Sequence, residues 1–121
     1  MKVLIVDDEP LVRRSLEKVF QKAGHEVQVA ADGDEGLKAW NEFNPEGVVL
    51  DVLMPGLTGP EVIAEIKEVG KTAVVLISAY SGDYDLDSVK KLGADIFIEK
   101  PFDDIQDIVK QVQMIWEVKN K

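Results

Sequence analysis

Five short apolar runs, each followed by a stretch with helical periodicity, limit what this chain can fold into. VLIV at 3–6, the alternating segment around Val27 and Val29, VVLD at 48–51, AVVLIS at 73–78 and DIFIE at 95–99 all have strand length. The first helix is predicted over 10–23, with Val12, Leu16, Val19, Phe20 and Ala23 on one face, Pro10 in its first turn and Gly24 as its cap. Further helices are predicted over 34–43, ending at Asn44-Pro45, over 60–69, ending at Gly70, and over 84–92. The last is the clearest. Ile105, Ile108, Val109, Val112, Ile115 and Trp116 make one stripe, with Asp103 and Asp104 at its positive end. Strict alternation of strand and helix yields a parallel sheet with right-handed crossovers and helices on both faces. The expected fold is therefore a doubly wound α/β sheet of five strands with five helices, in the order 2-1-3-4-5. Val27 and Val29 alternate with polar neighbours, as suits an edge strand.

The chain has 121 residues, enough for one core, and we expect a single domain over 1–121. A formal net charge of -9 argues against direct nucleic-acid binding, which needs a basic surface to displace counterions, and against anionic membrane. With no cysteine there can be no disulfide, zinc–thiolate site or thiol catalysis. The opening Met1-Lys2 and four apolar residues are too short for a secretory signal, and no run reaches membrane-spanning length. A cytoplasmic location is expected.

Charged residues stand where three of the apolar runs end: Asp7-Asp8 after the first, Asp51 closing the third, Lys100-Pro101 after the fifth. In a doubly wound sheet the carboxyl ends of the strands share one edge, and ligands bind at the switch point beside strands one and three. Three carboxylates and an ammonium would meet there. Like charges crowd at a cost, which a divalent cation and an anionic ligand would offset. That layout suits a magnesium-dependent phosphoryl site with an aspartate as acceptor.

Asp7-Asp8, Asp51 in DVLMPGLTG, Ser78-Ala79 and Lys100-Pro101-Phe102 occur in order at successive strand ends, and over essentially the whole chain this pattern resembles the receiver domain of bacterial two-component response regulators. The resemblance implies the flavodoxin-like version of the fold, and it implies residue roles. Asp51 would be the phosphoacceptor. Asp8, Asp51 and the backbone carbonyl of Leu53 would ligate Mg²⁺, with Mn²⁺ as a substitute, and Asp7 would act through a metal-bound water. Lys100, the Ser78 hydroxyl and the Ala79 backbone would bind the phosphoryl group, with Lys100 pairing with Asp51 beforehand. Pro101 would follow a cis bond. Ser78 and Phe97 would form the switch pair, although Phe97 also reads as plain core, and Leu53 and Tyr80 would tune the phosphoryl lifetime. The implied partners are a sensor histidine kinase or histidine phosphotransfer protein, docking on helix one near Arg13, Arg14 and Lys18, and a downstream protein on the face made by helix four, strand five and helix five. Such a domain catalyses only its own phosphorylation and dephosphorylation.

Rival readings are a phosphorelay intermediate, a receiver excised from a longer transcription factor, and, from another class, a magnesium-dependent phosphohydrolase with an aspartyl nucleophile. The last calls for Asp-x-Asp after strand one, where this chain has adjacent aspartates. A flavin binder of the same fold would need a Ser/Thr-rich loop after strand one, and none is there. Asp83, Asp85 and Asp87 imitate the start of a calcium loop, but Ser88 and Ala94 stand where Gly and Glu are required. Glu9 and His25 are expected to be solvated, Trp40 and Trp116 to be core, and Gly56 and Gly59 to serve turns.

Overall fold

The computed structural model describes residues 1–79 and 85–121. Among the described residues ten elements alternate between strand and helix: β1 (Lys2–Val6), α1 (Pro10–Lys22), β2 (Glu26–Ala30), α2 (Gly33–Phe43), β3 (Gly47–Asp51), α3 (Gly59–Glu65), β4 (Ala73–Ser78), α4 (Leu86–Lys91), β5 (Ile96–Glu99) and α5 (Ile105–Lys119). The strands form one parallel sheet in the order β2-β1-β3-β4-β5.

Strand alternation divides the core in two. Leu4, Val6, Val48, Leu50, Val74 and Leu76 pack with Trp40, Val62, Ile63 and Val89 of α2, α3 and α4. Val3, Ile5, Val49, Val75 and Ile77 pack with Leu16, Phe20, Ile108 and Val112 of α1 and α5. With helices on both faces, β1, β3 and β4 are buried almost end to end, whereas β2 alternates exposed and half-buried residues before Ala30, as its polar alternation predicts.

Helix bounds differ from the sequence reading in instructive places. α3 stops at Glu65, short of the predicted 69, because Ile66 turns extended (φ -79, ψ 122). Ile66 and Val69 still reach the core from the connecting loop, so the apolar spacing outlasts the helix. The start of α3 is fixed by a reciprocal cap, Thr58 accepting from the Glu61 N–H while Glu61 accepts from the Thr58 N–H. α4 is shorter than 84–92; Asp85 and Ser88 cap it in the same manner, and Tyr84 lies outside the described residues. The Asp85–Ser88 pair also accounts for part of the calcium-loop mimic, of which Asp83 lies outside the described residues. α2 begins at Gly33, behind an Asp32 cap, and α1 ends at Lys22 with Gly24 in the left-handed region (φ 93).

His25 is not the solvated turn residue expected. It is half-buried, its Nδ1 3.1 Å from the Met1 amine and its Nε2 2.7 Å from Gln113 Nε2, so it joins the chain start to α5. Trp40 is core, and Trp116 packs partly buried against the α1–α5 cluster. Among the described residues no helix is long and apolar enough to cross a membrane.

Candidate functional site

Register assembles the site. Val6 pairs with Leu50, so Asp7 and Asp51 follow side by side at the carboxyl edge of β1 and β3. Asp51 pairs in turn with Ile77, which brings Ser78 to the same edge. The Lys100 N–H donates to the Ser78 carbonyl at 2.8 Å, and the cis Lys100-Pro101 bond follows directly. The loop after Asp51 folds back onto β3, with the Gly59 N–H donating to the Val52 carbonyl at 2.9 Å. A Cβ on Gly59 would lie 2.5 Å from the Asp51 carbonyl oxygen, so this glycine permits close approach instead of serving a turn. Gly56, at φ 77, is the turn glycine of the loop.

Asp7 and Asp51 are buried, and Asp8 is exposed beside them. One carboxylate oxygen from each can be chosen so that all three lie within 4.8 Å of one another. Lys100 Nζ reaches into this cluster, 2.8 Å from Asp7 Oδ2, 3.0 Å from Glu9 Oε1 and 3.4 Å from Asp51 Oδ2. The expected Lys100–Asp51 pair is thus present but is the longest of the three. Asp7 Oδ1 accepts from the Glu9 N–H at 2.8 Å, and Arg13 donates to the Asp7 carbonyl at 2.8 Å. Asp7 Oδ2 is buried with no hydrogen-bond partner; Lys100 approaches it closely, but outside hydrogen-bonding geometry.

Burial pushes the Asp51 carboxyl up to about 7, and the Asp7 charge adds to the rise against the pull of Lys100. Burial likewise raises Asp7 above the usual carboxylate range, although Lys100 and the Glu9 amide oppose it. For Lys100 burial alone would lower the pKa, but Asp7, Glu9 and Asp51 outweigh it and hold the ammonium above its ordinary value. A buried carboxylate oxygen without a donor, beside two further carboxylates, is the donor chemistry that a hard divalent cation fits.

The remaining predicted site residues fall as follows. Ser78 is buried at the end of β4, Ala79 is exposed next to it, and Leu53 is exposed two residues beyond Asp51. Phe97 is half-buried on β5 and packs against the α2–α4 cluster. Tyr80 lies outside the described residues. Two contacts escape the sequence reading. Glu9 is not merely solvated, since it pairs with Lys100, and Arg13 braces the Asp7 backbone, leaving Arg14 and Lys18 as the exposed bases of that helix face.

With this geometry in view, the chain belongs to the response regulator receiver domain family, which it matches over residues 3–113. It is 35% identical over 99 residues to the transcriptional regulatory protein AfsQ1 of Streptomyces coelicolor, an alignment covering 82% of this chain and 44% of that protein. It is 40% identical over 101 residues to the probable transcriptional regulator ycf27 of Cyanophora paradoxa, covering 84% of this chain and 42% of the relative. The chain thus spans less than half the length of these curated relatives. Among solved structures, the receiver domain of the Francisella response regulator 1452 superposes with a TM-score of 0.86 at 28% identity, covering 97% of each chain. The chain is a receiver domain of two-component response regulators, a class that works as a signalling switch and is served by histidine kinases or phosphotransfer proteins.

Proposed function

We propose that this domain, a single unit over 1–121, is switched by phosphorylation of Asp51, with phosphohistidine on a sensor histidine kinase or a histidine phosphotransfer protein as the donor. The observation that carries the reading is the buried Asp51 carboxylate, set between the Asp7–Asp8 pair and the Lys100 ammonium. In the transfer an Asp51 carboxylate oxygen forms a bond to phosphorus. The phosphorus–nitrogen bond of the donor breaks, and the imidazole keeps its electron pair. The Lys100 ammonium beside Asp51 favours its ionised form, the form that serves as nucleophile.

Lys100 then pairs with a phosphoryl oxygen, and the Ser78 hydroxyl and Ala79 backbone N–H donate to others. Asp8, Asp51 and the Leu53 carbonyl, with Asp7 through a water, would hold Mg²⁺ or Mn²⁺, which when bound supplies positive charge against the phosphoryl oxygens. Ser78 and Phe97 pass the change to the face of α4, β5 and α5, where a downstream protein docks. The exposed Arg14 and Lys18 of α1 offer the donor protein a docking surface. The domain acts in the cytoplasm without touching nucleic acid or membrane itself, and its only catalysis is of its own phosphorylation and dephosphorylation. A second reading, a receiver serving within a longer transcriptional regulator, is favoured by the curated relatives, of which this chain spans less than half.

Incubation with acetyl phosphate and Mg²⁺ tests the assignment. One phosphate should be added, labile to hydroxylamine, and Asp51→Asn should take none. Equal labelling of Asp51→Asn would refute it.

A further inference from the structure

Three carboxylates crowd the Lys100 ammonium, which donates to Glu9 at 3.0 Å and to Asp51 at 3.4 Å and is ion-paired with Asp7 at 2.8 Å. Its side chain is only 8% exposed, so water has little access to it. The three acids differ in freedom. Asp7 is fully buried, with one oxygen held by the Glu9 N–H and its carbonyl held by Arg13. Asp51 is buried at the end of β3. Glu9 alone stands at the rim, its side chain 58% exposed.

Glu9 is also the N-cap residue of α1, a position where a side chain ordinarily accepts from a free helix N–H. It makes no such bond. Its carboxylate is turned instead to Lys100, across 91 residues of sequence. The contact is therefore not a by-product of capping.

We propose that Glu9 is a positioning residue that competes with the incoming phosphoryl group for Lys100. This rests on Asp51 as the phosphoacceptor. When phosphorus becomes bonded to Asp51, a phosphoryl oxygen needs a donor of Lys100, and Glu9 is the partner able to leave. Glu9 takes no proton and makes no bond to phosphorus. With acetyl phosphate, the new bond joins Asp51 to phosphorus, the phosphorus–oxygen bond to the acetyl group breaks, and acetate departs with the electron pair. Because the incoming phosphoryl oxygen competes with Glu9 for the ammonium, Glu9 slows loading and holds the unphosphorylated domain in its resting arrangement.

The test measures the rate of phosphate addition from acetyl phosphate by intact mass, with Mg²⁺ saturating for each variant as judged by a plateau in melting temperature. Glu9→Gln should load about three- to tenfold faster than wild type, the range expected for releasing one partly exposed ion pair. Glu9→Asp, one methylene shorter, keeps the negative charge at the rim but falls short of Nζ, and should speed loading in the same direction. In a Lys100→Met background Glu9→Gln should change the rate by less than about twofold, because the coupling runs through the lysine. The proposal is overturned if Glu9→Gln loads no faster while Asp51 still takes the phosphoryl group, or if the gain is the same in Lys100→Met. Wild-type protein that takes no label on Asp51 would refute the phosphoacceptor reading, and this inference with it.

Discussion

Asp51→Asn should make the metal-free protein more stable, by an amount that grows as pH rises from about 4 to about 7 and then levels off. Asp51 is 3% exposed and its pKa is raised to about 7 by burial and by the Asp7 charge. In the unfolded chain an aspartate titrates near ~3.9. Between those two values the folded state binds more protons than the unfolded state, so unfolding free energy falls as pH rises through this window. Roughly three units at ~1.36 kcal/mol each set an upper limit of about 4 kcal/mol on the penalty at neutral pH. Relaxation and water entry reduce such penalties, so about 2 kcal/mol is the expected gain for an uncharged asparagine near pH 8. For a domain of this size that is roughly 6 to 10 °C in melting temperature. Lys100 keeps Asp7 and Glu9 in the variant, so the lost 3.4 Å contact takes back little. The assay is urea unfolding in EDTA, followed by tryptophan fluorescence across about pH 4.5 to 8. Saturating Mg²⁺ should shrink or reverse the difference, because the cation stabilises wild type through the carboxylate that the variant lacks. A variant no more stable than wild type near pH 8, or equally favoured near about pH 4.5, would refute the reasoning.

Three other outcomes are expected. Mg²⁺ at about ten times its dissociation constant should stabilise the wild type by ~1.4 kcal/mol, and Asp8→Ala should abolish the increment; an unchanged thermal shift would remove Asp8 from the metal site. Gly59→Ala should destabilise by roughly 1–3 kcal/mol, since its Cβ would lie 2.5 Å from the Asp51 carbonyl oxygen, and urea midpoints read this directly. Leu53 offers the phosphoryl group no polar side chain and Tyr80 is bulky, so Leu53→Asn/Tyr80→Glu should release phosphate from purified phosphoprotein faster than wild type. A double variant that is no faster would separate these positions from the lifetime.

What the sequence makes legible here is what period and punctuation carry. The apolar runs of β1, β3 and β4 are buried on both faces, so they read as strands without ambiguity, and the charges that end them mark one edge of the sheet. The end of α3 was not legible, because Ile66 and Val69 continue the spacing of Val62 and Ile63. A loop can present apolar residues to a core at helical intervals without being a helix. The bonds of His25 to Met1 and Gln113 span 24 and 88 residues, and no local pattern encodes them.

Glu9 illustrates the same limit at the site itself. Its neighbours Asp7-Asp8 and Pro10 explain it locally as a polar residue between a strand and a helix, and that much is correct. Its partner comes from the far end of β5, and only the parallel register that brings Lys100 to the Ser78 carbonyl makes the pairing visible. The consequence is energetic. With Asp7 and Asp51 both buried and both raised in pKa, the carboxylate cluster costs the folded chain free energy that the Lys100 ammonium offsets in part. On the proposed function, a cation and a phosphoryl group would stabilise this cluster, and such a differential between states is what a ligand needs in order to shift a two-state equilibrium.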